Sequence, residues 1–263
     1  MLKLDNPPFP IPEIDLTGKT AIITGSTEGL GYGMAVVLAA YGAAVVVSSR
    51  REKKSEEVAR EINEMGAKAI AIPCDVRVKA DIDNLVAGTV RQLGSVDIMV
   101  NNAGLGITKR IIEMEEDEWD TVIDTNLKGV FFGMAAAAKA MIGQGTKGRI
   151  INIASAGGLV GTKNISSYCA SKAGVVSLTK TGAMEFGKYG ITVNSVCPGY
   201  VPTTINQAPL SIPAVREQIL GRTALKRLGE VWEVAAIVLF LASGISSIMT
   251  GAFVAADMGS TCN

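Results

Sequence analysis

The chain has 263 residues, 48% of them hydrophobic and 19% charged, with 25 Lys plus Arg balanced by 25 Asp plus Glu and no histidine. That composition excludes global disorder, gives no electrostatic reason to expect nucleic acid or an anionic membrane surface, and suits one domain with a large core. The absence of histidine removes Ser-His-Asp and Cys-His nucleophile chemistry and His-ligated zinc, so no metal is expected. Cys74, Cys169, Cys197 and Cys262 are far apart and form no C-x-x-C pair, so they read as reduced thiols, buried or incidental.

Residues 1–15 carry Pro7, Pro8, Pro10, Pro12 and an early Asp5, which leaves no apolar signal core; an extended arm is expected there, then a single domain over 16–263. Short Ile/Val-rich runs at 20–24, 44–48, 67–72, 96–100, 149–154, 192–196 and 252–255 read as strands buried on both faces. Helical stretches alternate with them at 30–41, 52–65, 79–93, 115–142, 167–189 and 231–241, and Gly42, Gly66 and Gly94 follow three of these as C-terminal caps. The apolar run 231–242 is too short to span a bilayer and carries Glu233, so it reads as a core helix. Alternating β and α elements predict an α/β fold, a doubly wound parallel Rossmann-like sheet in three layers. Residues 199–228 break the rhythm: they hold Pro202, Pro209 and Pro213 and no strand, which marks a substrate loop. Its apolar residues, Val201, Ile205, Leu210, Ile212 and Val215 among them, lean towards a hydrophobic or amphipathic ketone.

The first strand runs into Thr24-Gly25-Ser26-Thr27-Glu28-Gly29-Leu30-Gly31, and a helix follows. Glycines there permit a tight turn and close backbone approach, and a helix N-terminus offers free N–H groups to a pyrophosphate. Gly25, Thr27, Gly29, Leu30 and Gly31 are therefore candidate cofactor residues. The second strand ends Val47-Ser48-Ser49-Arg50-Arg51, with no carboxylate at its tip to bind a ribose 2′-hydroxyl. Ser49 and Arg50 instead suit a 2′-phosphate, which points to NADP with NAD as the second choice. The plainer reading of the two arginines is a solvated helix start.

Tyr168 and Lys172 lie i and i+4 on a predicted helix and so share a face. A nearby ammonium is expected to favour the phenolate and lower the tyrosine pKa, which would fit Tyr168 for general acid/base work. Ser155 ends the fifth strand, where its hydroxyl can hydrogen-bond a substrate oxygen.

The glycine-rich octet, Asn101-Asn102-Ala103-Gly104, Asn126 within Asp124-Thr125-Asn126-Leu127-Lys128-Gly129, then Ser155, Tyr168, Lys172 and Pro198-Gly199 follow one another in a fixed order. Over residues 16–259 this set resembles the short-chain dehydrogenase/reductase family. The resemblance implies an oxidoreductase that interconverts a secondary alcohol and a ketone with NADP or NAD. It adds Asn126 as a fourth catalytic member that helps hold water in a proton relay with Lys172; a helix-kinking residue is the plainer reading. It also implies Asp75 and Val76 beside the adenine, Asn102 near the ribose, Val201 at the nicotinamide amide, and Tyr168 and Lys172 touching the cofactor. For Asp75 a helix cap stays open.

This chain departs from the family's pattern in two places. Glu28 stands where many NADP-binding relatives carry Lys or Arg, and Asp257-Met258-Gly259 replaces Asp-Gly-Gly. The resemblance further implies a homo-oligomer, tetramer or dimer; the apolar helices at 129–142 and 167–186 are candidates for packing between subunits, and the reduced thiols suit a cytoplasmic protein. Its branch includes 3-oxoacyl-carrier-protein reductases, gluconate-type dehydrogenases and hydroxysteroid or carbonyl reductases. A carrier-protein substrate would want a basic patch, for which Lys128, Lys139 and Lys147 are candidates unless they are scattered surface charges. The rival function is a dinucleotide-sensing binding protein without turnover, which would have no need of Ser155, Tyr168 and Lys172.

Overall fold

A computed structural model describes residues 13–203 and 211–262. Seven strands form one parallel sheet: β1 (Thr20–Thr24), β2 (Ala44–Ser48), β3 (Ala69–Ala71), β4 (Ile98–Asn101), β5 (Arg149–Ile153), β6 (Thr192–Pro198) and β7 (Phe253–Ala256). Their order across the sheet is β3-β2-β1-β4-β5-β6-β7. β1 is buried along its whole length, as its all-apolar-and-threonine composition requires. Ala21 pairs with Val45 on one side and Ile98 on the other.

Successive strand residues point to opposite faces, so the sheet has two cores. Ala21, Ile23, Val45 and Val47 meet α1 (Gly29–Ala40) and the helix Val231–Ala242 through Met34, Leu38, Val234 and Val238. Ile22, Val46, Met99 and Ile150 face the opposite layer, including Leu85, Met134, Met141 and Val175. That layer holds α3 (Lys79–Leu93), α5 (Gly129–Gln144) and α6 (Ser166–Phe186), while α2 (Glu52–Glu64) packs beside α1. This is the doubly wound, three-layer arrangement expected from the sequence. Among the described residues no helix is long and apolar enough to cross a membrane. Gly42, Gly66 and Gly94 all take positive φ just past helices α1 to α3, as the cap reading required.

Three elements differ from expectation. The strand expected at 67–72 is only Ala69–Ala71, because β3 is an outer strand paired on one side alone. The single helix expected over 115–142 is instead α4 (Glu116–Ile123), a π-helical stretch Asp124–Lys128, and α5. A π turn carries one extra residue, and here it surrounds Asn126, whose side chain is tied to another loop. The segment 199–228 contains α7 (Pro213–Arg222), started by a proline in the first turn, and α8 is the helix Val231–Ala242. Ile205, Pro209 and Leu210 of the expected substrate loop lie outside the described residues, as does the arm up to residue 12. From the rest of the arm, Ile14 packs against the core.

Asp257-Met258-Gly259 keeps a tight turn without the second glycine. Met258 takes φ 56°, the left-handed region, and its sulfur packs near Gly229. Asp257 is buried and accepts hydrogen bonds from Gly259 N, Thr261 N and Ser260 Oγ, which hold the turn.

The approach of α5 to β4 rests on Gly133. A Cβ there would stand 2.1 Å from Asn101 Oδ1, and Asn101 is itself held by Asn152 across the sheet. Alanine is favoured over glycine in a helix by about 1 kcal/mol, but overpacking a closed core costs ~1–3 kcal/mol. Gly133→Ala is therefore expected to destabilise the fold in denaturant titration. A midpoint equal to or above that of the parent would contradict the packing.

Candidate active site

Strand order reverses between β1 and β4, and crevices for ligands form beyond the carboxyl ends of strands at such a point. Here that point is closed by polar ties. Asn102 N and Ala103 N both donate to Thr24 Oγ1, and Asn102 Nδ2 donates to the carbonyls of Thr24 and Gly25 at 2.9 and 3.1 Å. Ser26 Oγ donates to Ile23 O and accepts from Ser48 N, which fixes the loop against β2 as well. The amide nitrogen of Asn102, expected near the ribose, thus braces the glycine-rich loop.

The loop itself is a bare backbone cradle. Gly25 and Gly29 take φ 65° and 57°, and a Cβ on Gly31 would lie 2.2 Å from Gly25 O. No side chain caps the first turn of α1 and none of its first-turn residues is acidic. Open N–H groups, a favourable helix dipole and glycines that admit nothing larger fit a dinucleotide pyrophosphate. Leu30 is partly buried against the core, and Thr27 is buried in the loop.

At the tip of β2 the two arginines differ. Ser49 Oγ accepts from Arg51 N and shares a hydrogen bond with Ser55 Oγ, so it is engaged with the start of α2. Arg50 is exposed, and its charge acts on the Asp75 carboxylate. Arg51 Nη2 bonds Thr27 Oγ1 at 2.8 Å and pairs with Glu28. After β3, Asp75 holds Arg77 through both carboxylate oxygens and also accepts from Arg77 N. The Arg77 guanidinium keeps the Asp75 carboxyl below the usual range. Val76 is buried against Gly129. The helix-cap alternative for Asp75 does not hold, because the N-cap of α3 is Val78.

The reacting end is built from β5, α6 and the π-helical stretch. Lys172 is 3% exposed and its Nζ donates to Ile153 O, the last carbonyl of β5, at 2.7 Å. Tyr168 lies one turn earlier, with Lys172 Nζ 5.7 Å from its ring centre. A Cβ placed on Gly157 would touch Ser155 Oγ, Tyr168 Cε1 and Cys169 Sγ at 3.5–3.6 Å, which brings these three side chains to one spot. One on Gly104 would lie 3.3 Å from Asn126 Oδ1 and 3.4 Å from Lys172 Nζ. Asn126 is fully buried: Oδ1 accepts from Leu105 N, and Nδ2 donates to Leu105 O and Ser171 Oγ. Its side chain thereby holds the loop after β4 against α6.

Burial dominates the ionisation of both groups on α6. It raises the Tyr168 phenol above its ordinary value, and a hydrogen bond with the Ser155 side chain acts only in the opposing direction. It lowers the Lys172 ammonium to about 8. The expected depression of the Tyr168 pKa by Lys172 is therefore absent in the protein alone, because Nζ turns to the Ile153 carbonyl and desolvation prevails. Burial also pushes the Cys197 thiol up to about 11 and the Cys74 thiol to about 12, so neither is a thiolate near neutrality.

Three participants are not evident from motif reading. Ser171 links Asn126 to α6 and donates to Tyr168 O; its only sequence signal is its place beside Lys172. Thr203 packs on the cradle, its Cβ 3.3 Å from where a Gly29 Cβ would be, while Val201 is buried behind it near Gly229. Arg51, not Arg50, touches the loop.

The chain is similar to known proteins over nearly its whole length. The family described as enoyl-(acyl carrier protein) reductase matches residues 25–261. The 3-oxoacyl-acyl-carrier-protein reductase FabG of Staphylococcus epidermidis is 41% identical over 234 residues, 89% of this chain and 95% of that protein. A short-chain type dehydrogenase/reductase from Mycobacterium marinum superposes with TM-score 0.91 at 39% identity, covering 95% of this chain and 98% of that one. A gluconate 5-dehydrogenase from Burkholderia cenocepacia, solved in complex with NADP and tartrate, gives TM-score 0.92 at 35% identity over the same shares. With this family match, these identities and this shared fold, the chain belongs to the short-chain dehydrogenase/reductase family.

Proposed function

We propose that the protein is an NADP-preferring oxidoreductase that interconverts a small ketone and its secondary alcohol, with NAD as the lesser cofactor. The observation that carries this is the convergence of Ser155, Tyr168 and Lys172 at the sheet edge that also bears the glycine-rich cradle. The complex of a related gluconate 5-dehydrogenase with NADP supports the cofactor. Gly25, Thr27, Gly29, Leu30 and Gly31 would hold the pyrophosphate, Ser49 and Arg50 the 2′-phosphate, Asp75 and Val76 the adenine, and Asn102 and Val201 the rest of the cofactor. When bound, the cofactor supplies or accepts the hydride.

In reduction, Ser155 donates a hydrogen bond to the substrate carbonyl and Tyr168 Oη gives that oxygen its proton. A phenol raised by burial is protonated at neutral pH and so is poised as the acid. Lys172, beneath it, stabilises the phenolate left behind, and Asn126 with Ser171 positions α6 against the loop after β4. Alcohol oxidation runs these steps backwards and needs the phenolate first. Residues 199–228 are the segment we assign to substrate.

Two of the three candidate lysines speak against a carrier-protein patch beside the site. Lys128 is paired with Asp124, and Lys147 precedes the start of β5, while Ser155 follows its other end. A small-molecule substrate is favoured. We also assign a homo-oligomer, joined across α5 and α6, where Phe131 is exposed beside Ile123, Leu127 and Leu178 in an apolar groove. Light scattering at micromolar concentration is expected to give a dimer or tetramer mass; a monomer would exclude this assembly.

The reading is tested by following reduced-nicotinamide absorbance with NADPH and NADH against a 3-oxoacyl thioester, a keto sugar acid, a steroid ketone and an aryl ketone. Turnover of one class with NADPH ahead of NADH is expected. Cofactor binding with silence on every ketone would favour the sensor, and binding of neither would undo the cradle. With an active ketone, the reduction rate should hold through neutrality and fall above pH about 8, where Lys172 loses its proton. A rate that climbs through that pH would contradict the roles given to Lys172 and Tyr168.

A further inference from the structure

Among the described residues three that are not glycine take positive φ: Asn164, Lys226 and Met258. Two of them meet at one junction, because the N–H of Leu225, next to Lys226, donates to Met258 O at 3.2 Å. A side chain in the left-handed region is unfavourable, and such residues persist only where their surroundings hold them. Glycine would adopt the 56° of Met258 freely. The methionine side chain must therefore be held by what it touches.

The turn that carries Met258 lies between the two ends of the segment 199–228. Gly199 N donates to Ala256 O at 3.0 Å, and a Cβ on Gly199 would stand 2.7 Å from Asp257 Cα. At the other end, a Cβ on Gly259 would stand 2.7 Å from Ala224 Cβ. Met258 reaches the point where both ends converge. A Cβ on Gly229 would lie 3.1 Å from Met258 Sδ and 3.1 Å from Val201 Cγ2, and Gly229 N donates to Tyr200 O at 3.0 Å. A flexible, polarizable thioether suits an irregular gap of this kind. Val201 is 3% exposed, so packing sets its place, and two residues on Thr203 stands against Gly29 of the cradle.

We infer that Met258 is a positioning residue for hydride transfer: by filling the junction between Gly229 and Val201 it fixes Val201, and through Val201 the nicotinamide end of the cofactor site proposed above, on which this role rests. Met258 is assigned no contact with substrate or cofactor.

The test compares the native chain with Met258→Gly and Met258→Leu. The glycine variant loses the side chain and its backbone strain together, and the leucine variant keeps near-equal volume, so both are expected to fold. Hydrogen exchange at the Leu225 and Gly229 amides reads the junction without cofactor. Emission of bound NADPH at saturation reads how the nicotinamide is held without turnover. The kcat and KM for an active ketone complete the set. In Met258→Gly both amides are expected to exchange at least about fivefold faster, bound NADPH to change its emission, and kcat to fall about 10-fold, since misplacing reacting atoms by about 1 Å costs up to ~100-fold. Ketone KM and NADPH affinity should stay within about twofold, and Met258→Leu should return every readout to within about twofold of native. Faster exchange with native emission and native kcat would reduce Met258 to a contact of the fold and overturn the inference. Unchanged exchange, or a leucine variant as slow as the glycine one, would overturn it too. A native chain that binds NADPH but reduces no ketone would overturn the proposed activity, and the emission of the two variants would then decide the role of Met258 by itself. Binding of neither cofactor would remove both.

Discussion

A lysine ammonium buried at the carboxyl edge of the sheet is the constraint on which the site depends. A charge taken out of water is costly unless a polar partner meets it, and Lys172 finds its partner in the main-chain carbonyl that ends β5. That bond sets α6 against the strand end at a fixed height. Gly158 keeps the same junction tight, since a Cβ there would sit 2.7 Å from the Lys172 carbonyl carbon. With Lys172 fixed, the tyrosine one turn before it must face the crevice, next to the serine that follows β5. The desolvation that makes the lysine costly also keeps the phenol protonated, so one burial event sets both ionisation states.

Asparagines carry much of the remaining precision. The loops at this edge are partly buried, and their backbone groups need partners that no strand supplies. Asn102 serves Thr24 and Gly25, Asn126 serves both polar groups of Leu105, and Asn101 bridges to Asn152 and on to Thr179. An amide side chain both donates and accepts, which suits it to replace a missing backbone neighbour. These residues act by placing the loops that bear the chemistry.

The parallel sheet was legible because its strands are apolar on both faces: β1 and β2 occupy the expected runs 20–24 and 44–48. The cradle and the Tyr168–Lys172 pair were legible because glycine spacing and helical periodicity are local patterns. What failed to show was decided between distant segments. The π-helical stretch exists because Asn126 reaches Leu105, 21 residues away, and nothing in 115–142 announces that. Of the internal bonds at the cofactor end, those of Ser49 to Arg51 and Asp75 to Arg77 are local, whereas Asn102 reaches Thr24 across the sheet edge, and only that last tie lay beyond sequence spacing. The rise in the Tyr168 pKa reflects depth of burial, which an i, i+4 spacing does not report. Helix α7 had a signal, Pro213 at its first turn, masked by reading the prolines of 199–228 only as breakers.

The central claim is that Tyr168 moves the proton while the rest of the site only holds and orients. Tyr168→Phe removes one oxygen and leaves the ring, its packing and the Lys172 bond to Ile153 in place. Turnover and NADPH affinity should be measured side by side on this variant. Loss of turnover by at least ~100-fold, the scale of general acid catalysis, with NADPH affinity kept, is the predicted result. Turnover within a few-fold of the native rate would contradict the assignment and move the proton transfer to another group.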